Sequence, residues 1–209
     1  MKFSVNQKDL QQSLSYCQGV IEKRSTLPIL SNVLIDASNS KLKITATDLD
    51  LIFINEIKNV EIAEEGKTTT TSSIMYDIIR KFSPGKKINF ELTGESKIHL
   101  ESEKSIFNLN CITATEFPLT DENFSGNEFT IKSNKLLKLL NKCKFSVSND
   151  ETRHYLSGIY FHQTNIDDKY FLTAVATDSH RMSISKVNLS EKINFEPSIL
   201  PKKTVFQNK

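Results

Sequence analysis

The chain repeats itself once, and that repeat constrains its fold more than any other feature. Phe3, Val5, Leu10, Leu14 and Cys17 recur 126 residues later as Phe129, Ile131, Leu136, Leu140 and Cys143, and Leu30-Ser31 recurs as Leu156-Ser157 at the same offset. The two copies are therefore expected to be in phase through a strand, a helix and a second strand. Farther on, Leu42 and Ala46-Thr47-Asp48 match Leu172 and Ala176-Thr177-Asp178 at an offset of 130, which places a four-residue insertion near Asn165 to Lys169. An insertion there predicts a longer hairpin loop in the second copy. A period of this length describes a duplicated domain rather than a solenoid, because each unit is large enough to bury its own core. Residue 209 corresponds to residue 79 of the first copy, so the second copy is expected to be incomplete and the chain reads as a piece of something longer.

Within the first copy, residues near Lys2–Val5 read as a short strand, followed by a helix from about Gln7 to Val20 with Leu10, Leu14, Cys17 and Ile21 on one face. Leu27-Pro28 forces an extended entry. Ile29 to Ala37 and Lys41 to Thr47 predict a hairpin around Asn39-Ser40, and Leu51 to Ile57 the next strand. A second helix is expected from about Ser73, as its cap, to Phe82, with Ile74, Ile78, Ile79 and Phe82 inward. Three short strands come next, near Ile88–Leu92, Lys97–Glu101 and Ser105–Cys111. The polar, turn-rich stretch Thr113 to Asn127, with Pro118 and Gly126, reads as a connector. The organisation is then a first domain over 1–112, a connector over 113–127 and an incomplete second domain over 128–209. The class is α+β, a tandem repeat whose unit is two helices packed on a mainly antiparallel sheet.

Three cysteines, two of them at equivalent helical positions, match buried apolar thiols rather than a disulfide framework, and no zinc spacing occurs. There is no apolar run near 18 residues and no basic-then-apolar leader, the pattern of a soluble, cytoplasmic, non-secreted protein. A net charge of +2 identifies no partner, but its distribution is informative. The positive charge is almost all lysine, and the only arginines are Arg24, Arg80, Arg153 and Arg181. In the second copy's helix, Leu136, Leu137, Leu139, Leu140 and Cys143 form the expected buried face, while Lys135, Lys138 and Lys142 line the other at i, i+3 and i+7. Such a stripe is either a solvated face or a contact for duplex phosphates, met without reading bases. Neither copy offers a base-reading helix or an aromatic platform for single strands.

Two catalytic readings arise. Asp48 and Asp50 lie at period two on a strand, the placement of a carboxylate pair holding a divalent metal for a nuclease or phosphotransferase. The second copy carries Thr177-Asp178-Ser179-His180 at the same place and lacks the second carboxylate, so what recurs is a strand-end turn in which Asp caps backbone donors. Ser179-His180 resembles a nucleophile and base, but adjacent residues on an extended chain point to opposite faces. His99 and His162 fall in alternating strand patterns, as half-buried sheet residues do. No phosphate-binding loop, dinucleotide fingerprint or metal-protease motif is present, and the residues give no positive sign of catalysis or of a cofactor.

Met1-Lys2-Phe3, Thr26-Leu27-Pro28-Ile29-Leu30-Ser31-Asn32, Ala46-Thr47-Asp48-Leu49, Glu116-Phe117-Pro118, Arg153-His154-Tyr155-Leu156-Ser157-Gly158 and Ala176-Thr177-Asp178-Ser179-His180-Arg181 occur in an order and spacing that resembles the bacterial DNA polymerase III β subunit family, the sliding clamps. The resemblance spans the whole chain. It implies a ring of two subunits, each of three such clamp domains, with helices lining a central hole through which duplex DNA passes. The implied function is processivity: the clamp is non-catalytic, needs no cofactor, and tethers the polymerase catalytic subunit, the clamp loader and other clamp-binding peptides to double-stranded DNA. On that resemblance the third domain is absent here, and the fragment is expected to be unable to close the ring.

Carried over by position, the resemblance implies DNA contacts at Arg24 and in the segment Asn149 to Tyr155, with Arg153, His154 and Tyr155; His154 stands where tyrosine is usual. Leu156, Thr177, Ser179, His180, Arg181 and Met182 match one wall of the peptide pocket, Ser179 replacing a common glycine. Lys104 and Phe107 match the rim that meets the partner subunit, with Ile106 where arginine is often found. Pro201-Lys202-Lys203-Thr204-Val205 resembles the start of the next helix, Phe206 aligning with Tyr76. Apart from the nuclease, the remaining alternative is an interaction module without DNA binding.

Overall fold

The computed structural model describes residues 1–21, 27–94, 96–118, 128–150 and 152–206. These fall into two units, Met1–Thr120 and Asp121–Lys209.

In the first unit, strand β1 (Lys2–Asn6) runs directly into helix α1 (Gln7–Val20). Asn6 stops the strand and starts the helix, its side-chain oxygen accepting the Lys8 amide at 2.9 Å. Leu10, Leu14, Cys17 and Val20 of α1 are buried. Each such burial contributes about 1.5–3 kcal/mol for a leucine-sized side chain. Pro28–Ser31 is a 3-10 turn, so the strand expected from Ile29 begins later, as β2 (Asn32–Ser38). Pro28, with its fixed φ, favours the first turn of a helix over a ladder position that needs an N–H. β3 (Lys41–Thr47) and β4 (Ile52–Ile57) come next as expected, then β5 (Val60–Glu64) and β6 (Gly66–Thr71), which the sequence pattern does not predict.

Helix α2 (Ser72–Ile79) differs from expectation in its cap and its face. Thr71, not Ser73, precedes it, and the Thr71 hydroxyl donates to Asn32 Oδ1 across the sheet instead of capping. The inward residues are Met75 and Ile79, whereas Ile74 is exposed and Ile78 half-buried. β7 (Lys87–Thr93), β8 (Lys97–Ser102) and β9 (Ser105–Ile112) complete an antiparallel set ordered β4-β3-β2-β6-β9-β8-β7-β1-β5. Among the described residues its two halves join where Thr69 and Thr70 of β6 pair with Ile112 and Cys111 of β9. Phe3 stacks on Phe90 at 4.7 Å in the core beneath the helices.

The second unit repeats half of this plan. Helix α3 (Ser133–Cys143) buries Leu139, Leu140 and Cys143; Leu136 is half-buried, and Leu137, expected inward, is exposed because it falls on the lysine side of the turn. β10 (Gly158–Ile166), β11 (Lys169–Thr177), β12 (Met182–Asn188) and β13 (Ser198–Pro201) form a sheet ordered β12-β11-β10-β13, and helix α4 (Lys202–Phe206) comes after it. This is the order β4-β3-β2-β6 of the first unit, with α4 in the place of α2. Phe129 and Ile131, equivalents of β1, lie outside any strand. β1 is held between β5 and β7, and the described residues of the second unit contain no counterpart of either.

The four inserted residues do not lengthen the hairpin loop. They lengthen its strands: β10 and β11 have 9 residues each where β2 and β3 have 7. Asn165 and Ile166 pair with Tyr170 and Lys169, and Asp167-Asp168 turns the chain with φ of 50° and 59°, as Asn39-Ser40 does with 51° and 56°. Two consecutive positive φ values are those of a two-residue type I′ turn, which matches the strand twist and is kept in both copies.

Candidate functional site

The strand-end turn is the element both copies share in most detail. Thr47 Oγ donates to the Leu51 carbonyl at 2.8 Å and accepts the Leu49 amide at 3.0 Å, while Asp48 Oδ1 accepts the amides of Asp50 and Leu51 at 3.1 and 2.7 Å. In the second unit Thr177 makes the same pair with the Arg181 carbonyl and the Ser179 amide, and Asp178 Oδ1 accepts the amides of His180 and Arg181, both at 3.0 Å. The amides of His180 and Arg181 and the Arg181 guanidinium hold the Asp178 carboxyl below the ordinary carboxylate range. Asp48 Oδ1 thus caps the turn, the part expected of the recurring Thr-Asp pair. The described residues contain no group of three or more His, Cys, Asp or Glu side chains arranged for a metal ion.

Around the second turn a long loop is tied down at several points. Arg153 Nε donates to Asp150 Oδ2 at 2.7 Å, and its Nη1 donates to Ser179 Oγ at 2.8 Å. Hydrogen bonds from the Thr152 hydroxyl and amide, then from Arg153, hold the Asp150 carboxyl below its ordinary range. The hydroxyls of Ser146 and Ser183 lie 2.6 Å apart, Arg181 stands over the Phe145 ring at 5.7 Å, and Lys202 Nζ donates to Asn149 Oδ1 at 2.6 Å. The Ser148 amide donates to the Leu156 carbonyl at 3.1 Å. Gly158 permits the close seating of β13, since a Cβ there would meet the Leu200 carbonyl oxygen at 2.5 Å.

The result is a surface on which apolar groups stand beside oriented polar ones. Met182 is 64% exposed at the start of β12, and Leu156 is half-buried at the end of a 3-10 turn (His154–Leu156). Tyr155, Phe145 and Ile184 are exposed as well. The structure therefore brings the expected residues Leu156, Thr177, Ser179, His180, Arg181 and Met182 onto the elements around one turn, and joins Ser179 to Arg153 of the neighbouring loop, whose Asn149 bonds Lys202 instead. Sequence reasoning did not single out Phe145 or Lys202 for this surface, and it included Asp150 only within the segment Asn149 to Tyr155; the i, i+3 spacing of Asp150 and Arg153 was a usable signal for its pairing.

The helix lysines separate. Lys138 and Lys142 are exposed, with no partner among the described residues, whereas Lys135 is half-buried and donates to the Asn188 carbonyl at 2.8 Å. Arg24 lies outside the described residues. Lys104 sits in the β8–β9 turn, and Phe107 on β9 meets Phe82 edge-on at 5.6 Å. His99 bonds Asn108 Oδ1 at 3.0 Å and His162 stacks on Tyr160 at 5.0 Å, both half-buried sheet residues. Burial pushes the Cys17 thiol up to about 12 and raises that of Cys143, so both behave as apolar core groups.

Comparison with known proteins assigns the family. The family model described as DNA polymerase III beta subunit, N-terminal domain, matches residues 1–121, and the model for the central domain of the same subunit matches residues 130–209. This chain belongs to the DNA polymerase III beta subunit family. The beta sliding clamp of Caulobacter vibrioides is 33% identical over 207 residues, covering 98% of this chain and 55% of the relative. That of Escherichia coli K12 is 31% identical, covering 99% and 55%. Among solved structures, a beta sliding clamp from Caulobacter crescentus superposes with a TM-score of 0.93 at 32% identity, and a sliding clamp from Bartonella birtlesii bound to griselimycin with 0.93 at 36%. Each covers 99% of this chain, which covers 55% of each. The chain thus spans about half the length of the relatives it matches. The expected α+β clamp-domain repeat is the architecture found.

Proposed function

We propose that this chain acts as the first two domains of a DNA sliding clamp, a non-catalytic processivity factor that holds the replicative polymerase and other partners on duplex DNA. The domains run over 1–112 and 128–209 with a connector at 113–127, and the protein works in the cytoplasm. No helix among the described residues is long and apolar enough to cross a membrane. Lys138 and Lys142, with Arg24, Arg153, His154, Tyr155, Asn149 and the tethered Lys135, meet phosphates without sequence preference. Leu156 and Met182 receive an apolar anchor of a clamp-binding peptide from the polymerase catalytic subunit, the clamp loader or another partner. Thr177, Ser179, His180 and Arg181 shape and polarise that wall. Lys104 and Phe107 belong to the rim of the homodimer ring in the full-length form.

One observation carries this reading. The turn after β3 and the turn after β11 share a scaffold, yet Met182 is 64% exposed where Ile52 is 37%, Leu156 is half-buried where Leu30 is buried, and Ser179, His180 and Arg181 stand where the first unit has Leu49, Asp50 and Leu51. An apolar seat with a few oriented donors is the chemistry of a peptide site. Duplex binding by this chain is expected to weaken steeply with salt and independently of sequence. The double substitution Lys138→Glu with Lys142→Glu should lower the salt slope by roughly one phosphate for each lysine replaced. An unchanged slope would leave the stripe as a solvated face and take the helix out of the DNA interface.

A further inference from the structure

Arg153 and Ser179 stand 26 residues apart in the chain and belong to two different surfaces, the duplex-contacting loop and the peptide-receiving turn, yet their side chains share a hydrogen bond of 2.8 Å. We propose that this bond couples the two surfaces, so that a phosphate drawn onto Arg153 releases the tip of the turn that walls the peptide site. The inference rests on the proposed reading of both surfaces as a DNA contact and a peptide wall.

The geometry gives the bond this role. The Arg153 guanidinium is fixed by Asp150 on Nε and by Ser179 on Nη1, and its Nη2 has no partner among the described residues. Asp150 is itself immobilised by Thr152, and its amide donates to Ser148 Oγ at 3.1 Å. The open side of a positioned guanidinium favours a phosphate, whose oxygens accept charge-assisted bonds. Of the two acceptors Arg153 already holds, the neutral serine hydroxyl is the weaker and is given up before the Asp150 carboxylate. Ser179 has a φ of 77°, which the Thr177 scaffold holds as Thr47 holds Leu49 at 80°, so losing the bond to Arg153 frees the tip from the loop and not from its own turn. The other ties to the loop side, Ser146 with Ser183 and Arg181 over Phe145, hold the beginning of β12, while the tip's backbone is held from within the turn by Thr177 and Asp178.

The first unit lacks the device. Leu27 and Leu49 occupy the positions equivalent to Arg153 and Ser179, and neither side chain can hydrogen-bond. A polar pair that appears in one copy alone, bridging the loop and the turn that carry two kinds of candidate contact, is specific to what the second copy does. Because coupling between two equilibria is reciprocal, peptide on the wall also changes the hold on Arg153.

The test is a nuclear magnetic resonance titration of the chain with a short blunt DNA duplex of mixed sequence. In the wild type, Arg153 Nε–H and the backbone amides of Ser179, His180 and Arg181 should shift together with one midpoint. In Ser179→Ala and in Ser179→Gly, each at saturating duplex, the tip amides should lose that shift while His154 and Tyr155 still report the DNA. The glycine variant relieves the positive φ and the alanine variant does not, so agreement between them excludes strain as the cause. Tip amides that move as far in both variants, or that stay still in the wild type while His154 and Tyr155 move, would overturn the coupling alone. No movement at Arg153, His154 or Tyr155 would overturn the DNA contact, and the coupling with it.

Discussion

In the first unit the tip of the β3–β4 turn is Leu49, in the second the tip of the β11–β12 turn is Ser179, and both are held at a positive φ, 80° and 77°. The Thr-Asp pair before each tip makes the same backbone hydrogen bonds, so it is scaffold, needed wherever this strand ends in this way. Side chains beyond the pair are released from that duty. In the first unit the residues after Asp48 are Leu49, Asp50 and Leu51; in the second they are Ser179, His180 and Arg181, and the next residue is Met182, 64% exposed, in place of Ile52, 37% exposed. Duplication supplied two copies of one turn, and after the shared Thr-Asp pair the second carries Ser179, His180 and Arg181 where the first carries Leu49, Asp50 and Leu51.

The largest effect that bears on this comparison lies beneath the turns. Leu14 and Leu140 are equivalent and both buried, at 0% and 3% exposure, so Leu14→Ala and Leu140→Ala should each cost about 2–5 kcal/mol, the range for a truncated core leucine. Native-state hydrogen exchange of the helix amides measures both. A cost below about 1 kcal/mol at Leu140, against the full range at Leu14, would show that the copies are alike in sequence and unlike in packing.

A smaller effect is expected at the scaffold itself. Thr47→Val removes a hydroxyl that both donates and accepts inside the turn at a buried position, for about 1–2 kcal/mol. Thr177 makes the same bonds but is less buried, so water replaces part of what Thr177→Val removes and the loss should be smaller. Urea denaturation ranks the two. Equal losses, or a larger one at Thr177, would mean that the second turn bears more of its unit's stability than its exposure suggests.

How much of the molecule is legible in its sequence depends on whether the signal is local. The Thr-Asp turn is readable because its donors and acceptors lie within four residues and the motif occurs twice. The core face of α1 is readable from a single clean stripe. Helix α2 is not, because Ile74, Met75, Ile78 and Ile79 offer two adjacent stripes, and the sheet selects the one through Met75. β6 escapes notice because its run of threonines looks polar, although β-branched residues suit a strand whose hydroxyls bond across to β9, as Thr69 and Thr70 do. The insertion shows in the change of offset, but its structural effect does not: Asn165, Asp167 and Asp168 suggest a loop, while the pairing register runs on through Ile166. The Arg153–Ser179 bond depends on how two loops meet in space, which no local pattern encodes.

The division between scaffold and function is tested most directly by titrating the chain with a peptide from the tail of a replicative polymerase catalytic subunit and monitoring amide shifts at both turns. Shifts at Leu156 and from Thr177 to Met182, with none from Thr47 to Ile52, are expected. Met182→Ala should weaken the peptide by about 1–3 kcal/mol, the magnitude of a lost interface anchor, and leave the melting temperature near that of the wild type. Shifts at both turns alike, or an unchanged affinity in a folded Met182→Ala protein, would contradict the assignment of the second turn as the peptide wall.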